Sequence, residues 1–138
     1  MCIDDHSRVA YVEILADERK ETAAGFLRRA VAWYADRGVQ AEGILTDNGS
    51  CYRSKHFAAV CAELVVRHLF TRPYRPQTNG KAERLIRTLL EEWAYGRTYR
   101  SSVARARALG PWLERYNRER PHGGIGYVPP VTRLPDGL

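Results

Sequence analysis

The sequence predicts an α/β fold in which helices cross over between the strands of a sheet. Segments rich in β-branched and aromatic residues alternate with segments whose apolar residues recur every three or four positions. Their order is strand, helix, strand, helix, strand, helix, helix, and such alternation is typical of a sheet with crossover helices. A length of 138 residues suits one domain.

The first predicted strand covers residues 9–15 (VAYVEIL), which are β-branched, aromatic and apolar. The preceding residues 4–8 (DDHSR) predict a tight turn, because Asp and Ser side chains hydrogen-bond to nearby backbone. Since a hairpin has two arms, residues 1–4 are expected to be the end of a preceding strand. Asp4 and Asp5 are interpreted as turn residues.

Two helix–strand pairs follow the hairpin. A helix is predicted at 21–37 from its apolar stripe, and a short buried strand at 41–46. A second helix is predicted at 55–63, because Ser54 is a favourable capping residue. The apolar residues 65–70 predict a third strand.

Two helices and a tail complete the chain. The apolar stripe of residues 79–96 predicts a helix, and a last helix is predicted at 101–117. Gly110 and Pro111 are expected to kink or split that last helix. Residues 118–138 are rich in Gly and Pro and are expected to form an irregular tail.

Composition excludes several classes of protein. Apolar residues make up 44% of the chain and charged residues 28%, which argues against disorder. No apolar run approaches the roughly 18 residues needed to span a bilayer. Three cysteines without a C-x-x-C spacing argue against a disulfide framework or a zinc cluster. We therefore expect a soluble intracellular protein.

The chain has a basic excess, a net charge of +6, and one segment is markedly basic. Residues 67–87 contain six basic residues and a single acidic residue, Glu83. Arginine favours bidentate contacts with phosphate. This segment therefore predicts binding to a phosphate backbone beside a carboxylate that can hold a metal ion.

Two carboxylates are candidates for catalysis. Asp47 ends a predicted strand, at the sheet edge where α/β proteins commonly place their sites. The alternative is that Asp47 only forms a turn before Asn48 and Gly49. Glu83 lies on the polar face of its helix, where the alternative is an ion pair with Arg87 one turn later. The local sequence around either residue alone does not distinguish a catalytic carboxylate from a structural one.

The motifs around these residues carry a resemblance to a known family. LTDNGS and RPYRPQTNGKAERLIRTL, which contain Asp47 and Glu83, resemble the retroviral-integrase-type transposases of bacterial insertion sequences. The C-terminal YNRERPHGGIGYVPP resembles the tail of these proteins, and the N-terminal DDHSRVAYVEIL resembles the hairpin between their second and third strands. The resemblance covers nearly the whole chain.

This resemblance implies a ribonuclease-H-like fold of the retroviral integrase superfamily, a mixed sheet flanked by helices. Residues 1–117 would be the C-terminal part of the catalytic core, with the first strand and much of the second missing. Three carboxylates hold two Mg²⁺ or Mn²⁺ ions in the family. Asp47 matches the second Asp and Glu83 matches the Glu, whereas the first Asp has no counterpart. We therefore expect weak metal binding and impaired catalysis.

The resemblance also implies DNA as the partner, both the element ends and the target. The residues expected to contact it lie in the proline-bearing loop before the last-but-one helix and on that helix. They are Tyr74, Arg75, Gln77, Asn79, Lys81, Arg84 and Arg87. Self-association, or association with a full-length transposase, is a further expectation. The expected location is the bacterial cytoplasm, on the nucleoid when bound to DNA, with no membrane partner.

Three functions remain open on the sequence alone. The first is DNA cleavage and strand transfer by a metal-dependent enzyme. The second is a non-catalytic remnant that binds DNA or a full-length transposase. The third, a ribonuclease-H-like nuclease outside transposition, is disfavoured by the TNGKAER and YNRERPH motifs.

Overall fold

A computed structural model describes residues 1–72 and 80–135 of the chain. It divides the chain into two units. The terminal unit combines Met1–Ile14 with Lys81–Leu138, and the central unit is Leu15–Gly80. Among the described residues, no helix is both long and apolar enough to cross a membrane.

The terminal unit begins with the predicted hairpin. Strand β1 (Cys2–Ile3) pairs antiparallel with β2 (Ala10–Tyr11). The turn forms as expected, because Asp4 Oδ2 accepts hydrogen bonds from the backbone N–H (2.9 Å) and the hydroxyl (2.6 Å) of Ser7. The second strand is much shorter than the predicted residues 9–15, since β1 offers only two residues for it to pair with.

The central unit contains the two predicted helix–strand pairs. Helix α1 (Lys20–Ala35) leads to β3 (Gly43–Thr46), and α2 (Lys55–Glu63) leads to β4 (Arg67–Phe70). The two strands are parallel and in register over all four residues. Ser54 caps α2 as predicted, because its hydroxyl accepts a hydrogen bond from Phe57 N–H at 3.1 Å.

The core of the central unit lies between its two helices. Leu27 of α1 packs with Phe57, Val60 and Cys61 of α2, and all four are at most 6% exposed. Cys61 is thus a packing residue. Ile44 of β3 packs against the same cluster, so the helices cover one face of the strand pair.

The remaining helices belong to the other unit. Helix α3 (Gly80–Leu89) continues as one π-helical turn, Leu90–Ala94, within the single helix predicted there. Helix α4 (Ser102–Arg118) is continuous. Of the two expectations for Gly110 and Pro111, the split is therefore wrong, and the kink stays a prediction. Proline removes one N–H donor from the helix, and Trp112, which follows it, is buried in the core.

The core of the terminal unit joins these helices to the hairpin. Leu85 and Leu89 of α3 pack with Leu109, Trp112 and Tyr116 of α4. Ala10 of β2, with no exposed surface, lies in the same cluster. The core therefore fixes α3 through contacts with both α4 and the hairpin.

The tail is more ordered than its Gly and Pro content predicts. The tail contains two 3₁₀-helices, Gly123–Ile125 and Pro130–Arg133. An antiparallel bridge between His122 and Val128 closes the loop that holds the first of them. Ile125 is buried, as are Pro130 and Val131 of the second of these helices. The predicted division of the chain at residue 117 stays a prediction.

One buried amide connects the hairpin to α4. Asn117 is 6% exposed, and its Oδ1 accepts a hydrogen bond from Ala10 N–H at 2.8 Å. Its Nδ2 donates to the Ala10 carbonyl at 2.9 Å. The side chain thus pairs with the edge of β2 as a neighbouring strand would, and all four polar groups are satisfied.

We predict that Asn117→Ala destabilises the protein by roughly 2–4 kcal/mol, because it leaves a buried donor and a buried acceptor of Ala10 unpaired. The measurement is urea unfolding followed by circular dichroism. Arg118→Ala is the control, because it removes only an exposed ion pair with Glu114 and is expected to cost at most about 0.5 kcal/mol. Equal losses in the two variants would contradict the role of Asn117.

The surroundings of the His122 imidazole disfavour its charged form. Burial, and then the charge of Arg120, lower the pKa of His122 below its usual range. Its Nε2 is buried without a hydrogen-bond partner among the described residues. The ring stands edge-on to Tyr116, with centroids 4.7 Å apart, and burial raises the pKa of that tyrosine to about 12.

The depressed pKa of His122 predicts a loss of stability in mild acid. The folded state disfavours the imidazolium, so stability is complete above the unfolded pKa of 6.5 and falls as the pH drops through the folded pKa. His122→Phe keeps a ring against Tyr116 and cannot titrate. Urea unfolding at several values between pH 7.5 and pH 5 should show that the free energy of unfolding falls less in His122→Phe than in the wild-type chain. An identical fall in the two proteins would refute this reasoning.

Candidate catalytic and nucleic-acid-binding site

Asp47 is the first residue beyond β3, and its side chain is exposed. Its Oδ1 accepts a hydrogen bond from Gly49 N–H at 2.7 Å. This contact closes an Asx turn, so the turn that the sequence suggested as an alternative is present. The turn engages one oxygen of the carboxylate and holds its direction relative to the end of the strand.

The residues beside Asp47 tie this loop to the next strand. Asn48 Nδ2 donates to the carbonyl of Thr71, just beyond β4, at 2.9 Å. Arg53 Nη1 donates to Asn48 Oδ1 at 3.2 Å. The loop that carries Asp47 is therefore anchored on both sides by side-chain hydrogen bonds.

A histidine lies next to the base of the loop. His68 Nε2 is 2.7 Å from Thr46 Oγ1, and the imidazole packs between the rings of Phe57 and Phe70 with centroids 5.1 and 4.1 Å away. Burial lowers the pKa of His68, which favours the neutral imidazole. Sequence reasoning missed this contact, because it depends on the register of β3 against β4, which no local pattern reveals.

Gly49 is required by a close approach. Its φ is not in the left-handed region, but a Cβ added there would lie 3.0 Å from Asp47 Oδ1 and 3.5 Å from the ring of Tyr52. Any larger residue would press on the carboxylate that the Asx turn holds. The DNG sequence is therefore a structural unit that positions Asp47.

Glu83 lies in the first turn of α3, and its side chain is exposed. Leu85 and Leu89 bury the opposite face of the helix. The alternative ion pair with Arg87 does not form, and Glu83 pairs with no other cation among residues 1–72 and 80–135. A carboxylate here is favoured by the positive end of the helix dipole, and it is accessible to a ligand.

The predicted DNA-binding residues divide into two groups. Lys81, Arg84 and Arg87 are exposed on α3. Lys81 forms an exposed ion pair with Asp5, which lowers the pKa of the Asp5 carboxyl. Such a pair contributes little stability in water, so a phosphate can replace it. The other predicted contacts lie outside the described residues: Tyr74, Arg75, Gln77 and Asn79.

The structure places the two candidate carboxylates in different units, Asp47 in the central unit and Glu83 in the terminal unit. Their convergence on a shared metal ion stays a prediction. In the described part of the chain, no group of three or more His, Cys, Asp and Glu side chains is arranged to hold a metal ion. The donor chemistry of Asp47 and Glu83 fits Mg²⁺ or Mn²⁺, which prefer carboxylate oxygens.

Comparison with models of known protein families shows to which family the chain belongs. A model described as an integrase core domain matches residues 1–76, and a second model with the same description matches residues 64–130. The chain belongs to the integrase core domain family. The transposase-type recognition from the sequence motifs is confirmed.

The integrase core chain also resembles proteins of bacterial insertion elements. It is 31% identical over 93 residues to an uncharacterized 48.2 kDa protein of insertion element IS2A from Escherichia coli, which covers 67% of the chain and 22% of that protein. It is 31% identical over 90 residues to an E. coli transposase, InsD of IS2, covering 65% of the chain and 30% of the transposase. The chain spans less than a third of the length of either relative.

Solved integrases share the fold of this integrase core chain. The catalytic core domain of BIV integrase has a TM-score of 0.73 and 22% identity, covering 97% of the chain and 82% of that domain. A chain of the simian T-cell lymphotropic virus intasome with PP2A regulatory subunit B56 gamma also has a TM-score of 0.73, with 23% identity, covering 95% of this chain and 45% of that one. The predicted ribonuclease-H-like integrase fold is confirmed.

We predict that Gly49→Ala destabilises the integrase core chain by about 1 kcal/mol, because the added Cβ disrupts the Asx turn of Asp47. Gly110→Ala is the matched control. Gly110 lies inside α4 with nothing within 4 Å of an added Cβ, so the same change should stabilise the protein by about 0.5–1 kcal/mol. Urea unfolding measures both, and a stabilising Gly49→Ala would contradict the assigned role.

Proposed function

We propose that this chain acts in DNA transposition, contributing Asp47 and Glu83 to metal-dependent cleavage and joining of phosphodiester bonds. The observation that carries the proposal is the presence of two exposed carboxylates, one at a hydrogen-bonded turn and one on a helix, in an integrase core fold. Asp47 accepts a hydrogen bond in the Asx turn with Gly49, and Glu83, in the first turn of α3, forms no ion pair with a cation among residues 1–72 and 80–135. Relatives that include an insertion-element transposase support the same function.

Asp47 and Glu83 would hold Mg²⁺ or Mn²⁺. A divalent ion bound there activates an oxygen nucleophile and neutralises charge on the leaving oxygen. The carboxylates contribute hard oxygen ligands, and the Asx turn limits the reorganisation of Asp47 when it binds. Water would attack first and free a 3′-hydroxyl, which would then attack the target strand. This chemistry requires no Ser or Tyr nucleophile on the enzyme.

The basic side chains of α3 would position the DNA. Arg84 and Arg87 are exposed and suit bidentate phosphate contacts. Lys81 would exchange its ion pair with Asp5 for a phosphate. These contacts contribute affinity and little sequence information, so recognition of particular element ends would require other residues. The proposed partners are DNA and further transposase chains, this chain or a full-length relative.

We predict that Asp47→Asn and Glu83→Gln each reduce strand transfer by roughly 100-fold or more, because each removes a metal ligand, while DNA affinity changes less than about twofold. The assay joins labelled oligonucleotide ends to a plasmid with Mg²⁺ or Mn²⁺. Glu91→Gln removes an exposed carboxylate in the π-helical turn after α3 and serves as the control with full activity.

Two other outcomes of the strand-transfer assay would count against the proposed catalytic site. Undiminished transfer by Asp47→Asn or Glu83→Gln would remove the site assignment. DNA binding by the wild-type chain without any metal-dependent joining would favour the alternative of a non-catalytic DNA-binding chain. A metal-dependent rise in melting temperature, lost in both variants but not in Glu91→Gln, would still support the assigned ligands in that case.

A further inference from the structure

A second basic surface lies outside the candidate site, on the segment between the π-helical turn and the middle of α4. From Trp93 to Leu113 the sequence contains no acidic residue and four arginines. These are Arg97, Arg100, Arg105 and Arg107. We call the exposed part of this segment, residues 95–107, the arginine–tyrosine surface.

Aromatic rings alternate with the cations on this surface. Tyr95 is 75% exposed, and the guanidinium of Arg105 lies 5.6 Å from its ring centroid. The same guanidinium is 5.4 Å from the ring of Tyr99, and that of Arg97 is 5.0 Å from it. A large ring left this exposed offers a stacking face, and nearby guanidinium groups add positive potential.

The segment is held rigidly by hydrogen bonds. Tyr99 donates its hydroxyl to the Trp93 carbonyl at 2.7 Å. Arg105 Nε donates to the Ala94 carbonyl at 3.0 Å, and Trp93 Nε1 donates to the Arg105 carbonyl at 2.9 Å. A Cβ on Gly96 would lie 2.5 Å from the Glu92 carbonyl oxygen, so the turn needs glycine. The surface is therefore preorganised for binding.

The charges of this surface are not neutralised within the described chain. Other basic side chains of the described residues have carboxylate partners, among them Arg28, Lys81, Arg118 and Arg120. Arg97, Arg100 and Arg107 are exposed and pair with no carboxylate among the described residues. Unpaired like charges close in sequence repel one another, and a polyanion relieves that repulsion.

We propose that the arginine–tyrosine surface binds the phosphodiester backbone of DNA, with Tyr95 stacking on an unpaired base. Guanidinium groups match phosphates in geometry and charge, and base stacking on exposed aromatic rings is the usual device for single strands. The proposal extends the proposed function by adding a DNA surface separate from Lys81, Arg84 and Arg87. It does not require Asp47 or Glu83 to be catalytic.

The test compares two triple variants of equal charge. The first replaces Arg97, Arg100 and Arg107 by Gln, and the second replaces three exposed arginines outside both basic surfaces, Arg19, Arg28 and Arg118. Fluorescence anisotropy with labelled single-stranded and duplex oligonucleotides is measured across a range of KCl concentrations. Thermal unfolding verifies that both proteins remain folded.

The first triple variant should bind DNA at least about tenfold more weakly and lower the slope of log affinity against log salt by about 2–3, as three lost phosphate contacts require. The control should change affinity less than about twofold. Tyr95→Ala should weaken single-strand binding by about fivefold or more with little change in salt slope. Tyr95→Phe should restore that binding.

Equal weakening by both triple variants would mean that net charge alone acts, and would overturn the proposal. Unchanged DNA affinity in the first triple variant, together with lost binding to polyglutamate, would overturn it in favour of an acidic protein partner. Neither result would bear on the catalytic role of Asp47, which the loss of strand transfer in Asp47→Asn tests separately. Conversely, undiminished transfer in Asp47→Asn with weak binding by the triple variant would refute the catalytic assignment alone.

Discussion

The pairing of the Asn117 amide with the backbone of Ala10 is the contact on which the terminal unit depends. It joins residues 107 positions apart in the sequence with two buried hydrogen bonds. A two-residue strand in a hairpin has almost no stability of its own, so the hairpin needs this partner. The amide supplies the donor and acceptor that a further strand would present, and it does so from a helix with its own packed core.

The position of Glu83 follows from this contact by a short series of steps. Asn117 holds α4 against β2, and Trp112 and Tyr116 of α4 then pack against Leu85 and Leu89 of α3. Burial of the leucines turns the opposite face of α3 to solvent. The orientation of the Glu83 carboxylate therefore depends on a core within the terminal unit, whereas the orientation of the Asp47 carboxylate depends on a local turn. The two candidate ligands are positioned by independent means.

Local signals in the sequence were sufficient for much of this structure. The Ser54 cap, the Asp4–Ser7 turn and the strand that ends before Asp47 each follow from side chains a few residues apart. The features that were missed depend on distant partners. The hydrogen bond between His68 and Thr46 requires the register of two strands, and the continuity of α4 across Pro111 requires the surrounding core.

The same contrast applies to the candidate site. The acidic residues were found through motifs, and the Asx turn at Asp47 could be foreseen from the DNG sequence. The hydrogen bond from Asn48 to the Thr71 carbonyl could not be foreseen, because nothing in the sequence around either residue indicates that the two are neighbours in the fold. Resemblance located the carboxylates, whereas the anchoring that makes the Asp47 loop rigid became apparent only from the folded chain.

The distribution of charge connects the fold to the proposed DNA partner. Residues 67–87 carry six basic residues and one acidic residue, and residues 93–113 carry four arginines and no acid. Together these segments exceed the net charge of +6 of the whole chain, so the remaining residues carry a net negative charge. Here the net positive charge lies in two segments that are separated by five residues in the sequence, although other basic residues occur elsewhere in the chain. A polyanion is attracted to each of these segments, whereas the net negative charge of the remaining residues does not attract it.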